Sequence, residues 1–395
     1  MAKTDKSGIE SACRCLLLPY CAFGSLLAWL WLILFRGGYW RCDQLLTGKG
    51  FDDTEWPNVV AVIPARDEAE SIQQAVTSLL KQTFPGSLQI IVVDDNSSDG
   101  TAAIFAAMDD ERVEVISGKE LPENWAGKMW AVAQGVKYAE AKFPKTPYLL
   151  LTNADIEHGQ GVLSRLVAKA EKEQLDLVSL MVRLRCKTLW EAMLIPPFVY
   201  FFQKLFPFPW VNNSRRKTAA AAGGCMLVRW TALHRIGGIS RIRNRVIDDC
   251  ALAAAIKPGG PIWLGLTKTS YSLRGYDRLG GIWDMVTRTA FVQLRRSNPL
   301  VALSIVGMMF LYLVPPIALI YGIKNADLAV VVFGAAGWSV MAVSIVPTLK
   351  LYGLHAAYSV LLPVAGGLYG VMTVSSAFRD RRGKDGAWKG RSYSA

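Results

Sequence analysis

Residues 59–101 read VVAVIPARDEAESIQQAVTSLLKQTFPGSLQIIVVDDNSSDGT. Residues 59–63 are a short apolar run that stops at Pro64. Beyond it Ala69, Ile72, Ala75, Val76, Leu79 and Leu80 recur at helical spacing. Residues 83–86 break that helix, and residues 88–93 form a second apolar run that closes on two carboxylates, Asp94 and Asp95. Strand, helix, strand and the start of a further helix predict an open α/β sheet. In such sheets ligands sit outside the carboxyl ends of the strands, so residues 64–68 and 94–101 fall on the binding edge, the geometry of a nucleotide site.

Downstream the same alternation continues. Strands are predicted at 113–117, 148–152 and 175–184, with helices near 128–142 and 162–173, which argues a mainly parallel sheet with crossover helices. No internal repeat interrupts it. Upstream, residues 15–35 form an uncharged run between Arg14 and Arg36, about 20 residues being enough to cross a bilayer. This run is too long for a cleaved signal peptide and lacks a small-residue cleavage site, so it predicts a retained anchor. Lys3, Lys6 and Arg14 before it balance Arg36, Arg41 and Lys49 after it, so charge does not orient it.

Composition agrees with a domain joined to membrane segments. Of the 395 residues 52% are hydrophobic, and the mean hydropathy is +0.24. The formal net charge of +12 lies largely beside the hydrophobic runs, and no nucleic-acid recognition motif accompanies it, so nucleic acid is not an expected partner. The seven cysteines are scattered without a C-x-x-C pair, which excludes a zinc site or disulfide framework on spacing and fits a reducing compartment.

Residues 189–211 are dense in aromatic and apolar side chains and contain Pro196, Pro197, Pro207 and Pro209. Four prolines argue against a straight spanning helix, and the composition suits either a surface-lying interfacial segment, the favoured reading, or a buried helix pair. Residues 277–296 read as a second amphipathic element. Three uncharged runs follow at 299–323, 328–349 and 351–378, each long enough to span, and then a basic tail, residues 379–395. Here the topology conflicts with itself. Three crossings after a cytoplasmic domain would carry the tail outside, against the positive-inside rule, unless one run is re-entrant or interfacial.

PARDEAESI followed by VDDNSSDGT resembles the opening half of the family 2 inverting glycosyltransferases, enzymes of GT-A fold that use nucleotide-sugar donors. WAGKMWAVAQG, LLLTNADIEH, LVSLMVRLRC, TAAAAGGCMLVR and IDDCALA are similar to its hopene-associated branch, found with bacterial hopanoid genes. The resemblance covers residues 57–298 and implies a GT-A domain there, a Rossmann-like α/β fold, with an N-terminal segment (1–14) and a transmembrane helix (15–35) before it and a C-terminal transmembrane region (299–378) after it.

The resemblance also implies roles. Pro64, Ala65, Arg66, Glu68 and Asp95 would hold the nucleoside, a carboxylate at a strand end being able to accept the uracil imide N–H. Asp67 stands where the family usually has Asn. The same DDNSSDGT residues also suit a plain turn and helix cap. Lys128, at a predicted helix start, would approach the diphosphate. Of the family's D-x-D only Asp155 remains a carboxylate, Asn153 taking the first place, and Asp155 would hold Mg²⁺ or Mn²⁺. Asp248 and Asp249 match the pair that supplies the catalytic base, Asp249 being the chosen base, though two acids at a helix start also simply complement its dipole. Gln293 and Arg296 match the acceptor and diphosphate signature Q-x-x-R-W with Ser297 in place of Trp, or else form a juxtamembrane basic cluster.

The expected activity is transfer of one sugar with inversion, from a nucleotide donor of UDP type to a hydroxyl of a lipid, a hopanoid-related lipid by resemblance. The enzyme would sit in the bacterial inner membrane as a multi-pass protein with its catalytic domain cytoplasmic. The alternatives are a processive polysaccharide synthase and an inactive lipid- or nucleotide-binding scaffold, the latter kept open by Asn153.

Overall fold

The computed structural model describes residues 6–48, 55–382 and 388–389, the first eleven of them as backbone only. The expectations for Lys3 and Lys49, and for most of the basic tail, lie outside the described residues. The chain divides into two compact units. One holds Cys42–Cys186, Phe206–Tyr276 and the tail residues Trp388 and Lys389; the other holds the N-terminal helix, Lys187–Leu205 and the chain from Asp277 through Arg382.

The first unit is built on eight strands, β1 (Val59–Ala65), β2 (Leu88–Asp94), β3 (Val113–Ser117), β4 (Tyr148–Thr152), β5 (Ile156–His158), β6 (Leu177–Arg183), β7 (Cys225–Arg229) and β8 (Ile262–Ser272). They lie in the order β3-β2-β1-β4-β7-β6-β8-β5. Every residue of β1 is buried, as a central strand covered on both faces requires. Ile63, Ile90, Val92, Leu150, Val178 and Leu180 join one core cluster, each such side chain contributing on the order of 1.5–3 kcal/mol by burial. The crossover helix Gly127–Lys142 comes close to the sheet because Gly135 has no side chain: a Cβ there would stand 2.6 Å from Val62 and 2.8 Å from Val93.

The sheet corrects one expectation. It is mixed, not mainly parallel: β7 runs antiparallel to both β4 and β6, and β5 antiparallel to β8. An antiparallel neighbour needs no crossover. The chain instead returns along the binding edge, so that Cys225 at the start of β7 pairs with Thr152 at the end of β4, and Thr152 Oγ1 donates to the Gly224 carbonyl at 2.8 Å. The reversal delivers Gly223 and Gly224 to the carboxyl end of β4. Beneath this edge His158 is buried against Thr152 Oγ1 (2.9 Å) and Ser270 Oγ (3.4 Å), and burial pushes its imidazole down to about 4.

The second unit is helical. Four helical stretches are long and apolar enough to cross a membrane, Leu17–Phe35 near the N-terminus and Asn298–Lys324, Leu328–Leu351 and Ala356–Arg381 in the C-terminal part. The segment 189–211 does not break at its first prolines. Leu189–Leu205 is one helix with Pro196 and Pro197 inside it, and the shorter helix Phe208–Val211 belongs to the other unit. One face of the long helix is buried: Tyr200 Oη bonds to Ser344 Oγ at 2.6 Å and to Tyr39 Oη at 3.0 Å, and Tyr369 Oη donates to the Leu194 carbonyl at 2.9 Å.

Asn298–Lys324 carries a single π turn, Met309–Leu313, just before Pro315 and Pro316. Proline lacks an N–H for the carbonyl one turn back, and the Trp29 indole donates to the Leu311 carbonyl at 2.7 Å. Leu328–Leu351 returns antiparallel, with Gly322 against Val331 and Gly337 against Pro315. The final helix, Leu362–Arg381, is antiparallel to 298–313: Gly366 lies against Tyr312, Gly370 against Ile305, and Arg296 Nε donates to Asp380 Oδ1 at 3.0 Å. It begins level with the middle of Asn298–Lys324 and ends level with its start.

Candidate active site

The loops after β1 and β2 are stitched together. Asp67, with φ of 50°, accepts the Ser98 N–H on Oδ1 at 2.7 Å, and its own N–H donates to Ser97 Oγ at 3.0 Å. The Glu68 N–H donates to Thr101 Oγ1 at 2.9 Å, and Asp99 accepts from the N–H groups of Ala69 (2.9 Å) and Thr101 (3.0 Å). The turn-and-cap reading of DDNSSDGT is therefore realised, and Asp67 serves that staple with its side chain.

Asp95 differs from its neighbours. It is fully buried, its Oδ2 3.7 Å from Arg66 Nη1, and that guanidinium also donates to the Asp95 carbonyl. Gly118, at the end of β3, covers it so closely that a Cβ would lie 2.9 Å from Asp95 Oδ1. Pro64 lines the adjoining cleft, while Ala65 is buried in the strand. The Glu68 carboxylate lies between two cations, Arg274 Nη2 at 2.9 Å and Lys389 Nζ at 3.1 Å.

Across the cleft, Lys128 opens the helix Gly127–Lys142 and its Nζ meets Asp248 Oδ2 at 3.0 Å. Asp248 and Asp249 open the helix Asp248–Ile256. Asp249 Oδ2 accepts from the Gly223 N–H at 2.8 Å and Oδ1 from the Cys250 N–H at 2.7 Å. Desolvation first, and the Asp248 charge second, push the Asp249 carboxyl up to about 6. Pro64, Lys128, Asn153, Gly223 and Asp248 line one cleft.

Asp155 sits in the tight turn after β4. Its Oδ2 accepts from Ser272 Oγ at 3.2 Å and lies 3.4 Å from Arg274 Nε. Among the described residues no three His, Cys, Asp or Glu gather as a metal site. Asp155 offers one carboxylate of the oxygen-donor kind that a hard divalent ion bound mainly through substrate phosphates takes. A cationic guanidinium already stands at Asp155.

Residues 60–237 match the family model Glycosyl transferase family 2. The match runs from β1 through β7 and takes in Lys128, Asn153 and Gly223 of the cleft. Among solved structures, the mannosyltransferase PcManGT from Pyrobaculum calidifontis, in complex with GDP-Man and Mn²⁺, aligns with a TM-score of 0.53 at 16% identity, over 92% of this chain and 99% of its own. That likeness is one of fold. TarS of S. aureus, residues 1–349 in complex with UDP-GlcNAc, aligns with a TM-score of 0.40 at 13% identity over 83% of this chain and 92% of its own. No curated protein matches the chain.

Within the strand-built unit the structure brings Arg66, Glu68 and Asp95 together at one strand-end edge, and Lys128 and Asp248 at one cleft wall, with Asp249 tied to that wall through the Gly223 N–H. Gln293 and Arg296 belong to the helical unit, where Arg296 pairs with Asp380. Sequence reading missed Arg274, which bridges Glu68 and Asp155, and Lys389. Arg274 lies just past β8, a strand without turn or motif signals, and Lys389 was one of several tail cations.

Proposed function

We propose that this protein transfers one sugar, with inversion, from a uridine diphosphate donor to a hydroxyl of a lipid, a hopanoid-related lipid by resemblance. The observation that carries the reading is the Asp249 carboxylate, held by the N–H groups of Cys250 and of the cleft residue Gly223 and pushed up to about 6, a value that suits a base working near neutral pH. Asp249 takes the acceptor proton as the hydroxyl oxygen attacks the anomeric carbon from the face opposite the diphosphate. Asp248, paired with Lys128, keeps that ammonium at the cleft, where it meets diphosphate oxygens. Asp95 and Arg66 recognise the base, the carboxylate accepting an imide N–H and the guanidinium donating to a carbonyl. Asp155 would hold Mg²⁺ or Mn²⁺, which when bound neutralises charge on the departing nucleoside diphosphate. By resemblance, Gln293 and Arg296 would serve the acceptor or the diphosphate.

The apolar helices embed the protein in the bacterial inner membrane, with the catalytic domain on the cytoplasmic side where nucleotide sugars are made. The test is incubation of detergent-solubilised protein with a panel of UDP-sugars, Mn²⁺ and total membrane lipid, followed by isolation of the glycolipid and assignment of its anomeric configuration by NMR. An inverted anomer on a lipid hydroxyl is the expected product; a retained anomer, or a growing polymer, would contradict the proposal.

A further inference from the structure

The Arg66–Glu68 loop uses its inward groups for the staple described above and presents three polar groups outward: the Arg66 guanidinium, the Asp67 carbonyl and the Glu68 carboxylate. Lys389 meets all three. Its main-chain carbonyl accepts from Arg66 Nε at 3.0 Å, and its Nζ donates to the Asp67 carbonyl at 2.7 Å and lies 3.1 Å from Glu68 Oε1. It does so with φ of 48°, a conformation that costs energy for a residue with a side chain and persists where contacts over-determine it. An acceptor carbonyl beside N–H donors is also what a pyrimidine imide edge presents.

The helical unit supplies an independent argument for where the tail emerges. Leu328–Leu351 retraces Asn298–Lys324, and at 1.5 Å per residue its last residue lies about 21 Å past Gly337, back near the level of Val301. The chain then rises only to the level of Tyr312 before Leu362–Arg381 descends to Arg296. The third apolar run thus enters and leaves at one end, the end from which residue 298 departs. Arg382, the last residue before the tail, therefore lies at that same end of the helical unit.

We propose that Lys389 is an autoinhibitory pseudo-ligand: it occupies the nucleoside edge of the donor site and must leave before a nucleotide can bind there. The proposal rests on the donor-site reading above. Donor affinity is then reduced by the fraction of molecules with the tail seated. Because the seat includes a partly exposed ion pair, salt loosens it.

The test is the dissociation constant of UDP for the full-length, detergent-solubilised protein, for Lys389→Ala and for a chain ended after Arg382, at low and high ionic strength. Both variants are expected to bind UDP about five- to tenfold more tightly than the parent. Added salt is expected to narrow that gap. Weaker or unchanged binding by both variants would overturn the proposal, marking Lys389 as a wall of the site or a bystander. A separate readout needs no nucleotide: a water-soluble carbodiimide, which takes up the water lost, is expected to join the Lys389 ammonium to the Glu68 carboxylate as an amide, read by mass spectrometry of the digested protein, and its absence would overturn the seat itself. If the amide forms and no protein binds UDP, the donor reading falls, and the competition with it, while the seat stands.

Discussion

The Asp249 carboxylate accepts the Gly223 N–H at 2.8 Å, so the helix Asp248–Ile256 and the residues leading into β7 are tied to each other at the cleft. This tie depends on β7 running antiparallel to β4, which brings Gly223 to the sheet's binding edge. A base aimed by a backbone N–H loses function when its chemistry changes, without loss of the fold. Asp249→Asn keeps the hydrogen-bond geometry and removes the proton acceptor. Its turnover is expected to fall about 10²- to 10⁴-fold with UDP affinity unchanged within about twofold.

The same carboxyl sets a pH dependence. Desolvation and the Asp248 charge raise it to about 6, and a base acts only when ionised. The rate at low substrate is therefore expected to climb as pH rises and to level off above about 6. A profile that falls over that range would contradict the assignment.

His158 acts on stability with the opposite sense. Its folded-state pKa, about 4, lies below the unfolded value of 6.5, so on acidification the unfolded chain binds the proton first. Stability is present in full above about 6.5 and is lost between there and about 4, by up to about 3 kcal/mol. His158→Gln is expected to flatten the decline of melting temperature over that range, read by differential scanning fluorimetry.

Gly118 has no room for a side chain. A Cβ would meet Asp95 Cα and Oδ1 at 2.9 Å and the Asp94 carbonyl at 3.2 Å, all set by two strand ends that cannot give. Gly118→Ala is expected to cost about 1–3 kcal/mol and to weaken UDP binding by displacing Asp95. Asp155→Ala, in contrast, is expected to spare UDP binding without metal, measured in EDTA, and to abolish the gain in affinity that Mn²⁺ gives the parent.

The helix register predicts a topology. Cysteines placed at Asn325 and at Arg382 in membrane vesicles are expected to label from opposite sides, because Leu362–Arg381 ends level with the start of Asn298–Lys324 and Asn325 follows its far end. Labelling of both from one side would contradict it.

Much of this was legible in the sequence. Residues 59–101 showed β1, β2 and the two loops at their carboxyl ends, because buried parallel strands are continuous apolar runs and their ends carry polar residues. The reversal of β7 was not legible, since CMLVR is as apolar as a parallel strand and direction leaves no local mark. Pro196 and Pro197 misled because proline statistics describe isolated helices, whereas this one is buried on one face against Tyr39, Ser344 and Tyr369. Arg274 and Lys389 were invisible for another reason. Each gains its role from partners some 200 to 320 residues away along the chain, Glu68 in both cases.

The most direct measurement is lipid-dependent UDP release by the purified protein beside Asp249→Asn, with UDP binding measured on both. Release with one UDP-sugar is expected in the parent and almost none in the variant, with equal binding of UDP by the two. Equal release by the two proteins, or binding of UDP with no turnover of any donor by the parent, would contradict it.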